Sequence, residues 1–301
     1  MDRRAVWLWL QEAFGPGSAL PGQIAERFPG GAEGFCGAGP AGWRKMPGVT
    51  GRHFRALSAF TPEDAQNRLV QALRFGWQVV TPACPGYPEA LRNLYDPPAA
   101  LYAQGPWPDF SAAPVVGVVG ARHAVRYSRE AARRIAGELA RGGALVVSGT
   151  AEGVDCAALS GALEARGRVA SVLPVSLDSP YPLETAWLRR KVLKQGGALI
   201  TEYFHGQKPG PLAFRQRNRL ITGLCFGVAL VQAGSRSGTM IYAGCAAAQG
   251  REVYVYPGPP NAPEYGGSRL LLEEGASPVR SGKEILADCP AYCWAEGRGG
   301  G

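Results

Sequence analysis

The chain has 301 residues, of which 46% are hydrophobic, and it carries a formal net charge of +8. That length allows one large or two modest domains, and the basic balance favours anionic partners such as nucleic acid, phosphate groups or acidic lipid. No stretch approaches the roughly 18 apolar residues of a membrane span. The apolar patch near the N-terminus is short and is followed by Gln11 and Glu12, unlike a signal peptide, so we expect a cytoplasmic protein with no membrane partner.

The cysteine pattern argues against a metal site. Seven cysteines lie at positions 36, 84, 156, 225, 245, 289 and 293. They form no C-x-x-C pair, and zinc needs about four ligands at matched spacing. We therefore expect reduced thiols, no metal and no cofactor.

Residues 1–75 have apolar side chains at helical spacing, which predicts a small helical domain of the helix-hairpin-helix or SAM-like kind. The positions are Trp7, Leu8, Leu10, Phe14, Leu69, Val70 and Leu73. The turn at 45–51 resembles a helix-hairpin-helix turn, and two interpretations stay open. It either offers backbone N–H groups to a phosphate or is a plain connection whose glycines take positive φ.

The segment 76–113 is rich in Pro, Tyr and Trp, and we interpret it as an extended linker that packs along the next domain. One or two closing helices are expected within 267–287. Residues 288–301 have the composition of a disordered tail, and no winged-helix domain is expected after residue 287.

From Pro114 onward, short apolar runs alternate with helical stretches. The predicted strands are 115–119, 144–147, 169–173, 198–201, 228–231 and 253–256, and the predicted helices are 127–141, 155–165, 184–195, 215–223 and 239–248. This alternation predicts an α/β fold over 114–287: an extended Rossmann-like parallel sheet with helices on both faces. Ligands of such sheets bind at the carboxyl ends of the strands.

The loops that follow the predicted strands share one chemistry. Small residues allow an anion to approach the backbone, helix N-termini present N–H donors, and arginines add forks suited to phosphate. Eight Lys or Arg and one acid, Glu202, lie between residues 189 and 219. Phe214 beside this charge could stack on a base. The candidate DNA-binding residues are Gly120, Arg122, Ser148, Gly149, Gly153, Lys208, Phe214, Arg217, Asn218, Arg219, Arg236, Ser237, Gly238 and Thr239.

Simpler interpretations of these residues stay open. The glycines could serve only tight strand-to-helix turns, and Phe214 could belong to the core. Asp155 could be a helix N-cap. The run Arg189–Lys191 is expected to form a solvated helix face.

At these loops the sequence resembles the DNA-processing protein A (DprA/Smf) family. The matching motifs occur in order over about 140 residues. They are V-x-V-V-G-A-R at 116–122, S-G-T-A-E-G-V-D at 148–155, L-D-S-P-Y-P at 177–182, G-G-A-L-I-T-E-Y at 196–203, F-R-Q-R-N-R-L-I-T-G-L at 214–224, S-G-T at 237–239 and Q-G-R-E-V-Y-V-Y-P-G at 249–258.

The resemblance implies an extended Rossmann fold preceded by a small helical domain, and a homodimer. It implies binding and protection of incoming single-stranded DNA and loading of the RecA recombinase in natural transformation, without catalysis. Family members use the Arg of the G-S-R loop, here Arg122, and the F-x-x-R-N-R element, here Phe214, Arg217 and Arg219.

Four departures from the family pattern affect the site. Ala121 replaces the Ser of G-S-R, and Glu152 stands where an Arg is common. Arg236 takes the place of a Lys, and Gln232 replaces the Glu that follows the fifth strand. These changes affect the expected affinity and not the class of protein.

The alternatives are a nucleotide-binding Rossmann protein, related to the group that hydrolyses nucleoside monophosphates, and an oxidoreductase. The first group uses P-G-G-x-G-T-x-x-E, but Tyr242 stands here in place of the Glu, so the general acid/base is missing. A dinucleotide site is disfavoured because no G-x-G-x-x-G follows the first strand. A pocket that senses a nucleotide stays open.

Overall fold

The fold was analysed in a computed structural model, which describes residues 1–207 and 210–289. The chain forms two compact units. The first comprises residues 1–104 with short pieces at 175–177 and 201–207, and the second comprises the remaining described residues.

The first unit begins with six helices. They are α1 Arg3–Phe14, α2 Leu20–Arg27, α3 Gly31–Gly37, α4 Gly39–Trp43, α5 Gly51–Ala59 and α6 Pro62–Arg74. Side chains of Asp2, Thr50 and Thr61 cap the starts of α1, α5 and α6, which satisfies N–H groups that have no partner within the helix. Trp9 and Trp43 pack at the centre, with ring centroids 5.2 Å apart. The predicted helical N-terminal region is confirmed.

The turn between α4 and α5 accommodates Gly48 at a φ of 86°. Thr50 and His53 close a capping box at the start of α5. Both interpretations of this turn stay open, because a capped helix start serves a plain connection and a phosphate contact equally well.

Residues 76–104 belong to the same unit. They form strands β1 Gln78–Val80 and β2 Leu101–Gln104, which pair antiparallel, and the short helix α7 Glu89–Arg92. This differs from the extended linker predicted over 76–113. The reason is that the aromatic residues of the segment pack inward: the rings of Trp77 and Tyr102 contact each other and that of Phe204.

The second unit contains seven parallel strands in the order β6-β5-β4-β3-β7-β8-β9. They are β3 Val115–Gly120, β4 Leu145–Ser148, β5 Val169–Val172, β6 Ala198–Thr201, β7 Gly227–Val231, β8 Glu252–Tyr256 and β9 Ser277–Pro278. Every residue of β4, β5, β6 and β7 is buried, as expected for apolar strands covered on both faces.

Seven helices connect and close this sheet. They are α8 Arg126–Arg141, α9 Val154–Glu164, α10 Ala186–Lys194, α11 Ala213–Leu224, α12 Thr239–Ala248, α13 Gly266–Glu273 and α14 Gly282–Ala287. Strands β3 to β6 step across the sheet in one direction and β7 to β9 in the other. Since such crossovers are right-handed, α8 to α10 cover one face and α11 to α13 the opposite face. The predicted Rossmann-like sheet is confirmed.

The structure also accounts for the closing segment. Helices α13 and α14 coincide with the predicted closing region to within one residue. The predicted disordered tail over 288–301 is wrong for its first two residues, because Asp288 accepts a hydrogen bond from the Tyr254 hydroxyl at 2.6 Å and Cys289 is buried. The rest of the predicted tail lies outside the described residues. Within the described residues, the helices fall short of the length and apolar character that crossing a bilayer requires.

Neighbouring strands β3 and β7 determine where a ligand can bind. They lie side by side, yet α8 after β3 and α12 after β7 run to opposite faces of the sheet. A crevice therefore opens at the carboxyl ends of these two strands, at the point where the strand order reverses.

Candidate nucleic-acid interface

The crevice at the end of β3 and β7 has a volume of about 490 Å³. Five segments line it: the loop after β3, the loop after β4 with the first turn of α9, the start of α11, the loop after β7 with the first turn of α12, and the turn after β8 that carries Glu264. Arg122, His123, Asp155, Phe214, Arg217 and Tyr242 are among the lining residues.

Glycines allow these loops to close around the crevice. A Cβ on Gly120 would collide with the carbonyl oxygen of Val231 in the neighbouring strand. Gly153 has a φ of 80° and lies against the backbone carbonyls of Ala121 and Arg122. Side chains at these positions would force the loops apart, so the loop glycines have a steric role in forming the site.

A stack of three side chains forms at the mouth of the crevice. The Arg122 guanidinium lies over the ring of Phe214, 4.3 Å from its centroid. On this same ring Tyr181 makes an edge contact, with centroids 6.1 Å apart. Phe214 is half-buried, whereas Arg122 and Tyr181 are exposed. The ring of Phe214 thus belongs to the rim of the crevice and not to the core.

Arg189 holds Tyr181 in place from below. Its guanidinium donates from Nη1 to the carbonyl of Ser179 at 2.6 Å and from Nη2 to the carbonyl of Tyr181. Only 6% of Arg189 is exposed, and desolvation lowers its pKa to about 10. The expectation of a solvated helix face was therefore wrong for Arg189, because the 179–181 loop folds over it; Arg190 is exposed as expected.

Asp155 and Arg217 form the charged floor of the crevice. Both side chains approach the same face of Gly149, where an added Cβ would collide with each of them. Arg217 also donates from Nη1 to the carbonyl of Val172 at 3.0 Å. Burial raises the pKa of Asp155 to about 6, while the charge of Arg217 and hydrogen bonds from the backbone of Ala151 and Gly120 act in the opposite direction.

Three helix starts surround the crevice. Helices α9, α11 and α12 each begin after the carboxyl end of a strand, so their unpaired N–H groups and the positive ends of their dipoles lie at the same edge of the sheet. At the start of α12, the Ser237 hydroxyl is buried without a hydrogen-bond partner. This arrangement favours the binding of an anion.

Sequence reasoning missed the role of Gln232. Its side-chain oxygen accepts from the N–H of Val125 at 2.9 Å, and its Nε2 donates to the carbonyl of His123 at 3.3 Å. Gln232 therefore connects the loop after β7 to the loop after β3. Its left-handed backbone, with a φ of 60°, has no signal in the sequence, but its departure from the family pattern at the end of a strand had marked the position.

The structure brings most of the predicted site residues to this edge of the sheet. Those that line the crevice are Gly120, Arg122, Phe214, Arg217, Asn218, Ser237, Gly238 and Thr239. Gly149 and Gly153 lie in its walls.

The other predicted residues lie elsewhere. The hydroxyl of Ser148 is buried and donates to the carbonyl of Val118, so it supports the sheet. Arg219 is buried in α11 and is not among the residues that line the crevice. Arg236 is exposed in the loop whose residues Gly234 and Ser237 line the crevice. Lys208 lies outside the described residues.

The comparisons with curated proteins point to one family. The chain is 35% identical over 204 residues to the DNA processing protein DprA of Bacillus subtilis (strain 168), covering 68% of each chain. It is 33% identical over 242 residues to Protein Smf of Escherichia coli (strain K12), covering 80% of this chain and 64% of that protein. The matched segments thus span about two thirds of the length of these relatives.

The fold is similar to that of two solved proteins. The X-ray structure of DNA processing protein A from Streptococcus pneumoniae superposes with a TM-score of 0.81 at 24% identity, over 95% of this chain and 98% of that one. The DNA processing protein A from Helicobacter pylori, whose structure concerns a single-stranded DNA binding mode, gives a TM-score of 0.62 at 30% identity, over 69% of this chain and 93% of that one.

The family model described as DNA recombination-mediator protein A matches residues 78–290, which include the whole crevice. With this match and the identities to DprA and Smf proteins, the chain belongs to the DNA recombination-mediator protein A (DprA/Smf) family.

Proposed function

We propose that this protein binds single-stranded DNA in the crevice at the carboxyl ends of β3 and β7. The observation that carries the proposal is the stack of Arg122, Phe214 and Tyr181 at the mouth of the crevice, above the floor of Arg217. A basic groove with exposed aromatic rings accepts backbone and bases together. The related Helicobacter pylori protein, with its single-stranded DNA binding mode, supports this assignment.

The free energies of the two competing contacts favour a DNA base on Phe214 over the contact between Arg122 and Phe214. An exposed arginine over a ring contributes about 0.5–1 kcal/mol, whereas a base stacked on an aromatic ring contributes about 1–3 kcal/mol. The exposed Arg122 can therefore leave Phe214 to a base and turn its guanidinium to the adjacent phosphate. Among the described residues, no ion pair occupies Arg122.

The test is a fluorescence-anisotropy titration of labelled oligo-dT. We expect Arg122→Ala and Phe214→Ala each to weaken binding by about 10- to 100-fold, on the scale of 1–3 kcal/mol for a charge-assisted hydrogen bond or a stacked base. Arg168→Ala is the matched control, because Arg168 is exposed and precedes β5 at the opposite edge of the sheet. Unlabelled duplex should compete poorly. Unchanged affinity in both crevice variants would remove the crevice from the binding site.

The proposal extends to a role in recombination. We infer a cytoplasmic homodimer that protects incoming single strands and loads RecA onto them in natural transformation. Two crevices in one dimer would give the strand a continuous track, and linking them would raise the apparent affinity through effective concentration. Sedimentation of the protein tests the dimer. Assembly of RecA filaments on DNA that is already covered by single-strand-binding protein tests the loading.

We propose that the site is not catalytic. The group that hydrolyses nucleoside monophosphates takes its acid/base carboxylate from the Glu of P-G-G-x-G-T-x-x-E, and Tyr242 occupies that position here, buried and with a pKa raised by desolvation. The Asp155 carboxyl on the crevice floor is buried beside Arg217. A crevice of about 490 Å³ would nevertheless hold a nucleotide. Competition of mononucleotides against oligo-dT, with an assay for released ribose phosphate, separates these functions. We expect weak competition and no release.

A further inference from the structure

A second, smaller cleft adjoins the crevice and shares Arg122, Phe214 and Arg217 with it. Its volume is about 240 Å³, and the rings of Tyr181 and Phe214 line it together with Arg122. Two carboxylates, Glu152 and Glu184, also line it. The combination of aromatic walls with acidic groups is unexpected in a site for a polyanion.

The fold places the two glutamates together. Glu152 lies in the loop after β4, and Glu184 lies in a single helical turn, Leu183–Thr185, just before α10. The buried hydroxyl of Thr185 donates to the backbone carbonyl of Thr150, which ties this turn to the loop after β4. Both glutamates are exposed, and no ion pair of the described residues includes either of them.

Electrostatics decides which part of a nucleotide can enter this cleft. A phosphate beside two unpaired carboxylates would be repelled. Arg122 and Arg217 line both the cleft and the larger crevice, so the phosphates are expected on their crevice side, where the helix starts present N–H groups. The aromatic walls favour the flat face of a base. A base that enters the cleft and stacks on Phe214 in place of the Arg122 guanidinium therefore has its edge near Glu152 and Glu184.

The chemistry of the carboxylates then selects among the bases. An ionised carboxylate can only accept hydrogen bonds. The amino groups of cytosine N4 and adenine N6 donate, and glutamate or aspartate is a known acceptor for cytosine N4, whereas O4 of thymine or uracil is itself an acceptor. Thymine and uracil have one donor on this edge, N3–H, and it lies between the acceptors O2 and O4, so a carboxylate that reaches it also faces a carbonyl oxygen.

We propose that Glu152 and Glu184 give this protein a preference for bases with an exocyclic amino group over thymine and uracil. The proposal rests on the single-stranded DNA binding proposed above and adds a base preference to it. It also assigns a role to the departure at Glu152, where the family pattern has an Arg. Arg122, Arg217 and His123, which line the same cleft, can each donate a hydrogen bond and would act on O2 or phosphate.

The experiment compares labelled oligo-dC and oligo-dU of equal length with the full chain, at a slightly alkaline pH that keeps cytosine N3 unprotonated. The two probes share backbone and ring size, and neither has the thymine methyl group. We expect the wild-type protein to bind oligo-dC about tenfold more tightly, on the scale of one good base contact. In the double variant Glu152→Gln and Glu184→Gln, the ratio of the affinity for oligo-dC to that for oligo-dU should fall towards one. Both affinities should rise, because two negative charges are removed.

Glu130→Gln is the matched control. Glu130 is exposed on α8 and lines the groove that adjoins this cleft, but it does not line the cleft itself. Removing its charge should raise the affinity for both probes and leave their ratio unchanged. Equal binding of both probes by the wild-type protein, or an unchanged ratio in the double variant, would overturn the base preference and leave single-strand binding intact. Failure to bind either probe would instead overturn the proposed function.

Discussion

Gly149 has no Cβ, and this absence determines the geometry of the site. Its backbone has no positive φ, so the constraint is steric: the floor of the crevice, Arg217 and Asp155, occupies the space of a Cβ. A side chain here would push the guanidinium and the carboxylate apart. The role of this glycine therefore goes beyond a tight turn.

We expect Gly149→Ala to weaken oligo-dT binding about tenfold or more, with a lower melting temperature, because overpacking at a buried site costs about 1–3 kcal/mol. Gly244→Ala is the control. Gly244 is exposed within α12, an added Cβ there meets nothing within 4 Å, and alanine stabilises a helix interior by up to about 1 kcal/mol. Equal behaviour of the two variants would contradict the steric role of Gly149.

The raised pKa of Asp155 predicts that the stability of the folded protein depends on pH. Its folded-state pKa of about 6 lies above that of an unfolded aspartate, which is about 3.9. The folded protein therefore binds this proton more tightly than the unfolded chain does. The stabilisation is fully present below about pH 4 and is lost as the pH rises through about 6.

We therefore expect the free energy of unfolding of the wild-type protein, relative to Asp155→Asn, to fall between about pH 4 and pH 6 and to stay level above. The fall should be at most about 3 kcal/mol, the equivalent of two pKa units. Urea denaturation of both proteins across this range measures it. A difference that is flat with pH, or that grows as the pH rises, would show that Asp155 does not titrate as its burial requires.

At the scale of elements, the loop between β5 and α10 is positioned by an arginine inside the structure. Arg189 lies on α10 and binds two carbonyls of the loop that carries Tyr181. One buried side chain thus connects the packing of a helix to the aromatic wall of the site.

Arg189→Leu should leave those two carbonyls unpaired, at a cost of about 1–3 kcal/mol. We expect faster hydrogen exchange at the amides of Ser179 and Tyr181, since Pro180 and Pro182 have no N–H, and weaker binding of oligo-dT. Arg190→Leu removes the same charge from the exposed face of α10 and should change neither. Hydrogen-exchange mass spectrometry is the measurement, and similar exchange in both variants would exclude a positioning role for Arg189.

At the scale of the whole molecule, the net charge of +8 makes the salt dependence of binding informative. Each phosphate neutralised on a single strand adds about 0.7 to the magnitude of the slope of log affinity against log salt. We expect Arg122→Ala to reduce that magnitude by about 0.7. Arg168→Ala changes the net charge equally at the other edge of the sheet and should leave the slope nearly unchanged. Titrations at several salt concentrations test this.

The sequence by itself determined the architecture of the second unit. The predicted strands and helices between 114 and 256 agree with those observed to within about two residues at most ends. This success has a physical reason: the apolar runs of buried parallel strands and the periodicity of helices are local patterns. The rule that ligands bind at the carboxyl ends of strands then located the crevice without coordinates.

Only the tertiary structure decided which of those loop residues share a site. Gln232 and Val125 are separated by 107 positions, yet their hydrogen bond joins two loops. The shared space of Asp155 and Arg217 beside Gly149 and the packing of Trp77 and Tyr102 with Phe204 also join distant parts of the chain. Arg189 is only ten positions from Ser179, but its burial depends on how the loop folds over the helix. Periodicity describes neighbours along the chain and carries no information on such pairs, so these contacts required the folded arrangement.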